Sequence, residues 1–131
     1  MRLRCAVVLL LLFTTTPVYQ GCTAQQRQRI QQLDQTQLLR TSIGTARIGI
    51  GVTSRVLAEL VRPVQNGGLG KISYAEGKKW RDKLHTAAGY LDKSEVMLLG
   101  GQLQAAEGEL NEAQKLVIEV QSFTEKENLK P

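Results

Sequence analysis

LQAAEGELNEAQKLVIEV, residues 103–120, carries Leu103, Ala106, Leu110, Ala113, Val117 and Val120 at intervals that alternate between three and four without a miss. In an α-helix such positions fall along one side, so the stretch reads as a helix with a single continuous apolar stripe. Leu99 extends the register backwards, and Glu109, Glu112 and Glu119 occupy a flank. Small and large residues share the stripe, which suits close packing against two neighbours. A stripe of this kind is unstable in water unless something covers it. The fold then depends on whether the rest of the chain supplies partner helices.

Immediately upstream, Gly100-Gly101 is a hinge, and before it lies a second helical pattern. Ser73-Tyr74-Ala75-Glu76 has the spacing of a capping box, in which hydroxyl and carboxylate each satisfy an otherwise unpaired backbone N–H. From there Trp80, Leu84, Ala87, Leu91 and Leu98 hold one face, which predicts a helix over 73–99. Gly89 and Asp92-Lys93-Ser94-Glu95 are the places where it could break early.

Further upstream, Pro63 and Gln65-Asn66-Gly67-Gly68-Leu69-Gly70 form a loop signal. The glycines lack the preceding strand and the following Gly-Lys-Ser/Thr of a phosphate loop, so the stretch reads as a connector. Before it, Leu39, Ile43, Ala46, Ile50, Leu57 and Val61 share a face, predicting a helix over 38–62. Leu38, Ile48, Val52 and Val56 extend the apolar arc to a second side. Gly44, Gly49 and Gly51 weaken the helix, and Ile48, Ile50 and Val52 alternating with glycine admit a short strand as the alternative. Arg40, Arg47, Arg55 and Arg62 recur at intervals of seven, eight and seven, gathering four guanidinium groups on one remaining edge. That edge is the candidate interaction surface. Two readings stand: pairing with Glu109, Glu112 or Glu119 of the third helix, which the concentration of acid there favours, or an outward basic surface with Ile48 and Val52 that docks on anionic lipid or an acidic partner.

Connections this short leave successive helices antiparallel. The expected architecture is all-α, a small antiparallel three-helix bundle over 38–125, with helices near 38–62, 73–99 and 102–123 and a frayed tail over 126–131. Residues 22–37 precede it as a Gln-rich tether. Its seven glutamines between Thr23 and Gln37 favour helix without giving a helix anything to bury.

Residues 1–21 are of another kind. Arg2 and Arg4 open the chain, Ala6 to Phe13 are apolar, and a small residue then precedes a cysteine. This is the order of a secretory signal behind an envelope or exported location. The apolar run is well short of the ~20 residues a membrane span needs. Cys5 falls within the leader, so Cys22 stands alone in the remainder and no internal disulfide is expected.

At Gly21-Cys22 the leader resembles the lipobox of bacterial lipoproteins. That resemblance implies cleavage between Gly21 and Cys22, acylation of Cys22, and a membrane anchor at the new N-terminus. Gln20 and Tyr19 depart from the family's preceding positions. Thr23 stands where an aspartate would favour inner-membrane retention, so the resemblance implies the periplasmic face of the outer membrane. Cleavage after Ala24 is the alternative, and it would leave a soluble periplasmic protein.

Composition bounds the chemistry. Residues 23–83 hold eleven Lys and Arg against four Asp and Glu, net +7, whereas residues 85–131 hold four against eight, net −4. Much of the basic charge therefore has an internal acidic counterpart. Nucleic acid is not an expected partner, because an exported chain with 5% aromatic residues lacks the stacking surface. His85 is the sole histidine, with no second ligand beside it, so no catalytic residue, metal site or cofactor is expected. The expected role is a non-enzymatic helical contact or scaffold module, with the membrane as one partner and a protein, or a second copy, as the other. In plan, though not in motif, it is similar to phage outer spanins and to surface- or superinfection-exclusion lipoproteins. The few prolines depart from the proline-rich spanins.

Overall fold

The computed structural model describes residues 24–131. The leader, Gly21 and Cys22 lie outside the described residues. Three α-helices follow one another: α1, Ala24–Val61; α2, Tyr74–Leu99; and α3, Leu103–Asn128, with a 3-10 turn at Val64–Asn66 between the first two. The chain divides into two compact units, the first ending at Gln35 and the second running Thr36–Pro131. In the first, the described residues 24–35 are helical and exposed.

The second unit is the expected three-helix bundle, packed as the stripes require. On α3, Ala106, Leu110, Ala113, Val117 and Val120 are buried, and Thr124 and Glu127 carry the same register onward. On α2, Leu84, Ala87, Leu91 and Leu98 are buried with Ser94 among them. On α1, Ile43, Ala46, Leu57 and Leu60 are buried. Contacts fix the directions. Arg47 reaches Asp92 and Glu95 while Val61 lies against Gly77, so α1 and α2 run antiparallel; Ser94 meets Ala106 while Lys83 meets Glu119, so α2 and α3 do too. The result is up-down-up, with α1 and α3 parallel and Gly49 of α1 against Val117 and Gln121 of α3.

Apolar burial falls into two groups. The larger joins Ile43, Ala46, Ala87, Leu91, Leu98, Ala106, Leu110, Ala113 and Val117. The other joins Leu57, Leu60, Ile72, Leu84 and Val120, with Trp80 and Phe123 packed against it. The two rings stack with centroids 4.1 Å apart and planes 14° from parallel, a favourable arrangement for large apolar surfaces. Both groups lie wholly within residues 43–120, so the unit Thr36–Pro131 holds a complete core.

The loop after α1 is built to close that helix. A helix leaves its last carbonyls without partners, and here Leu69 N–H donates to Glu59 O, Lys71 N–H to Leu60 O and Gly70 N–H to Arg62 O, at 2.9, 2.8 and 2.8 Å. The fold-back is tight at Gly68, where a Cβ would lie 2.2 Å from Arg62 O, so only hydrogen fits. Ser73 then caps α2, its hydroxyl accepting from Glu76 N–H at 3.2 Å.

Three expectations change, and the helix expected through residues 43–52 holds. The first helix is already formed at Ala24, well before 38, so the described part of the Gln-rich tether, whose composition leaves helix open, is helix. Residues 43–52 are helical, which removes the strand alternative. α3 continues to Asn128, and the expected frayed tail is held: Lys71 Nζ donates to Asn128 O and Lys130 O at 2.7 and 2.8 Å. Of the second apolar side of α1, Val56 is half-buried while Leu38, Ile48 and Val52 face solvent.

Candidate functional site

Of the arginine edge, Arg40 and Arg47 border α2. The four arginines differ in their ion pairing. Arg47 Nη2 donates to Asp92 Oδ1 at 2.9 Å and to Glu95 Oε2 at 2.8 Å, a fork onto carboxylates one turn apart. The hydrogen bond to Asp92 raises the guanidinium pKa further, partly opposed by burial and supported by Glu95. Arg62 pairs along its own helix with Glu59 at 3.1 Å. Arg40 and Arg55 are exposed, with no ion pair among the described residues.

Pairing of this edge with the third helix is therefore corrected. Glu119 takes Lys83, and Glu112 takes Lys115 at 2.9 Å. Glu109 Oε2 is buried without a hydrogen-bond partner. The cause is rotational. α1 meets α3 through Gly49, on the side away from the arginines, so the carboxylates of α3 are out of reach.

Two concave features flank α1. A cleft of about 280 Å³ between α1 and α2 is lined by Arg40, Ile43, Gly44, Arg47, Glu95 and Leu99, among others. A groove of about 510 Å³ between α1 and α3 is lined by Thr41, Thr45, Gly49, Gln114, Ile118 and Gln121, among others, and bears no charge. Exposed Ile118 stands at its border.

On the far side of the bundle, Lys83 Nζ lies 4.7 Å and Lys79 Nζ 5.8 Å from the Trp80 ring centroid. Cations over the face of an aromatic ring are electrostatically favoured. Trp80 Nε1 is buried without a partner. Lys78 and Asp82 pair at 2.9 Å, and their hydrogen bond raises the lysine pKa and lowers that of the aspartate. His85 is exposed. Among the described residues no cluster of His, Cys, Asp and Glu has the makings of a metal site. No described helix is long and apolar enough to cross a membrane.

The expected site residues are thus not brought together as one constellation: Arg47 and Arg62 are engaged, and Arg40 and Arg55 are open. Sequence reasoning missed Ser94, whose Oγ donates to Ala106 O at 2.6 Å across the α2–α3 interface. A signal was present, since Ser94 falls in the Leu84, Ala87, Leu91, Leu98 stripe. No family model matches the chain, and neither a curated protein nor a solved structure matches it significantly.

Proposed function

We propose that this chain is an envelope lipoprotein, anchored through an acylated Cys22 at the periplasmic face of the outer membrane, whose helical bundle is a non-enzymatic contact module. One observation carries the reading: Gly21-Cys22 closes a basic-then-apolar leader. A single acyl chain binds a membrane only reversibly, so stable residence calls for the several chains a mature lipoprotein carries. The uncharged groove between α1 and α3 is the surface such a module offers to a protein partner or a second copy. Within this class the plan suits a phage lysis or exclusion lipoprotein. A neighbouring lysis cassette or a conjugation operon would separate those two roles.

The test is metabolic labelling with palmitate in cells producing the wild type or Cys22→Ser. Label should enter the wild type and not the variant. Equal labelling of both, or of neither, rejects the anchor.

A further inference from the structure

We propose that the outward face of α1 between Arg40 and Arg55 docks on the headgroups of an anionic lipid surface. At ~100° per residue, Arg40, Gly44, Ile48, Gly51, Val52 and Arg55 fall within roughly a third of the helix circumference, opposite the buried Ile43, Ala46 and Leu57. Ile48 is 70% and Val52 54% exposed. The face has an unbalanced charge. Glu59 is the lone acidic residue of residues 36–61, and it holds Arg62. The nearest acids across the helix boundary, Asp92 and Glu95, are held by Arg47. Arg40 and Arg55 are left as uncompensated positive charge beside apolar side chains, the chemistry that matches a negatively charged interface.

An anchor at Cys22 would put a bilayer within reach, which favours lipid over an acidic polypeptide. Gly44 and Gly51 have no neighbouring atoms where a Cβ would stand, so bare backbone lies between the side chains of this face. Arg40 and Gly44 border the cleft shared with α2. A headgroup layer conforms to such a surface. There Ile48 and Val52 can enter shallowly while the arginines keep their guanidinium groups among the phosphates. Leu99, 76% exposed and sharing the cleft with Arg40, adds apolar surface at the same edge.

The inference rests on the anchored reading for why a bilayer lies within reach, yet its test does not use the anchor. The protein is residues 24–131, whose core is complete without the leader. Binding is measured by co-sedimentation with phosphatidylcholine vesicles, with and without phosphatidylglycerol, over a range of salt. Binding should require phosphatidylglycerol and weaken as salt rises. Loss of each arginine should weaken it roughly fivefold, so Arg40→Gln/Arg55→Gln should lose about 25-fold. Arg40→Lys/Arg55→Lys should retain binding, and all variants should keep the wild-type melting temperature. Absence of binding, equal binding to neutral vesicles, or an unchanged double Gln variant overturns the proposal. Arginine-dependent binding to polyglutamate without vesicle binding overturns it in favour of an acidic polypeptide. Failure of Cys22 labelling with vesicle binding intact removes the anchor alone; the reverse removes the docking face alone.

Discussion

Replacing Leu110 by alanine is the most direct challenge to the packing of the bundle. Leu110 is 4% exposed and belongs to the larger apolar group. The substitution trades an isobutyl group for a methyl, a loss of burial of about 2.5 kcal/mol at roughly 0.8 kcal/mol per CH2. The cavity left behind adds about 24 cal/mol per Å³ that does not collapse. Collapse should be limited, because the residues one turn away on the same stripe, Ala106 and Ala113, are themselves buried and have no side chain long enough to swing in. The expected cost is therefore about 3–4 kcal/mol, in the middle of the range for buried leucines. For a unit of this size that corresponds to a fall in melting temperature of roughly 12–30 °C. Urea unfolding of residues 24–131, followed by far-UV circular dichroism, measures it by linear extrapolation. Ile118→Ala is the control on the same helix: Ile118 is 61% exposed, and its loss should change stability by under about 0.5 kcal/mol. A Leu110→Ala variant within about 0.5 kcal/mol of wild type, or equal to Ile118→Ala, would refute the arrangement.

Two glycines of α2 should respond oppositely to alanine. At Gly89 nothing lies within 4 Å of the new Cβ, so the helix gains roughly 0.5–1 kcal/mol; at Gly77 the Cβ would stand 2.2 Å from Val61 Cγ2, and the variant should be destabilised by about 1–3 kcal/mol of overpacking unless Val61→Ala is added. Chemical denaturation of the two singles and the Gly77/Val61 double checks both signs. Ser94→Ala should cost about 0.5–1.5 kcal/mol through loss of the hydrogen bond to Ala106 O, read by the same assay. Asp82 has a lowered pKa, so its contribution is present above the ordinary carboxylate value of about 4 and fades as pH falls through the lowered one. Because the pair with Lys78 is exposed, Asp82→Asn should leave the acid limb of a pH–stability curve nearly unchanged in moderate salt.

The apolar stripes were legible because helical periodicity is a property of one segment at a time. Leu110 on α3, Leu91 on α2 and Ile43 on α1 could each be placed on a buried face from spacing alone, and the Ser73 cap and the glycine loop marked where the helices part. The start of α1 was not legible for the opposite reason. Residues 24–35 are good helix formers with no face to bury, and propensity without burial does not set a boundary. Which carboxylate meets Arg47 was hidden as well. Spacing fixes the side of α1 on which Arg47 lies, but the partner depends on how far α2 and α3 are rotated about their own axes. Acid content pointed to α3; proximity selects α2. The stacking of Trp80 on Phe123 has the same long-range origin.

That rotation explains what the charged contacts contribute. Apolar stripes alone tolerate small slips of one helix along another, because Leu, Val and Ala can exchange neighbours at modest cost. The fork from Arg47 cannot slip so freely. Its donors meet Asp92 and Glu95, one turn apart on α2, and a shift of α2 by a residue would carry one carboxylate off the facing side. Lys83 with Glu119 ties α2 to α3 in the same manner, and Lys71 ties the loop to the end of α3. Each exposed pair contributes only about 0–1 kcal/mol, so together they bias register more than they add stability. This division of labour also leaves Arg40 and Arg55 outside the set that fixes register. They can engage something beyond the bundle without disturbing how its helices pair.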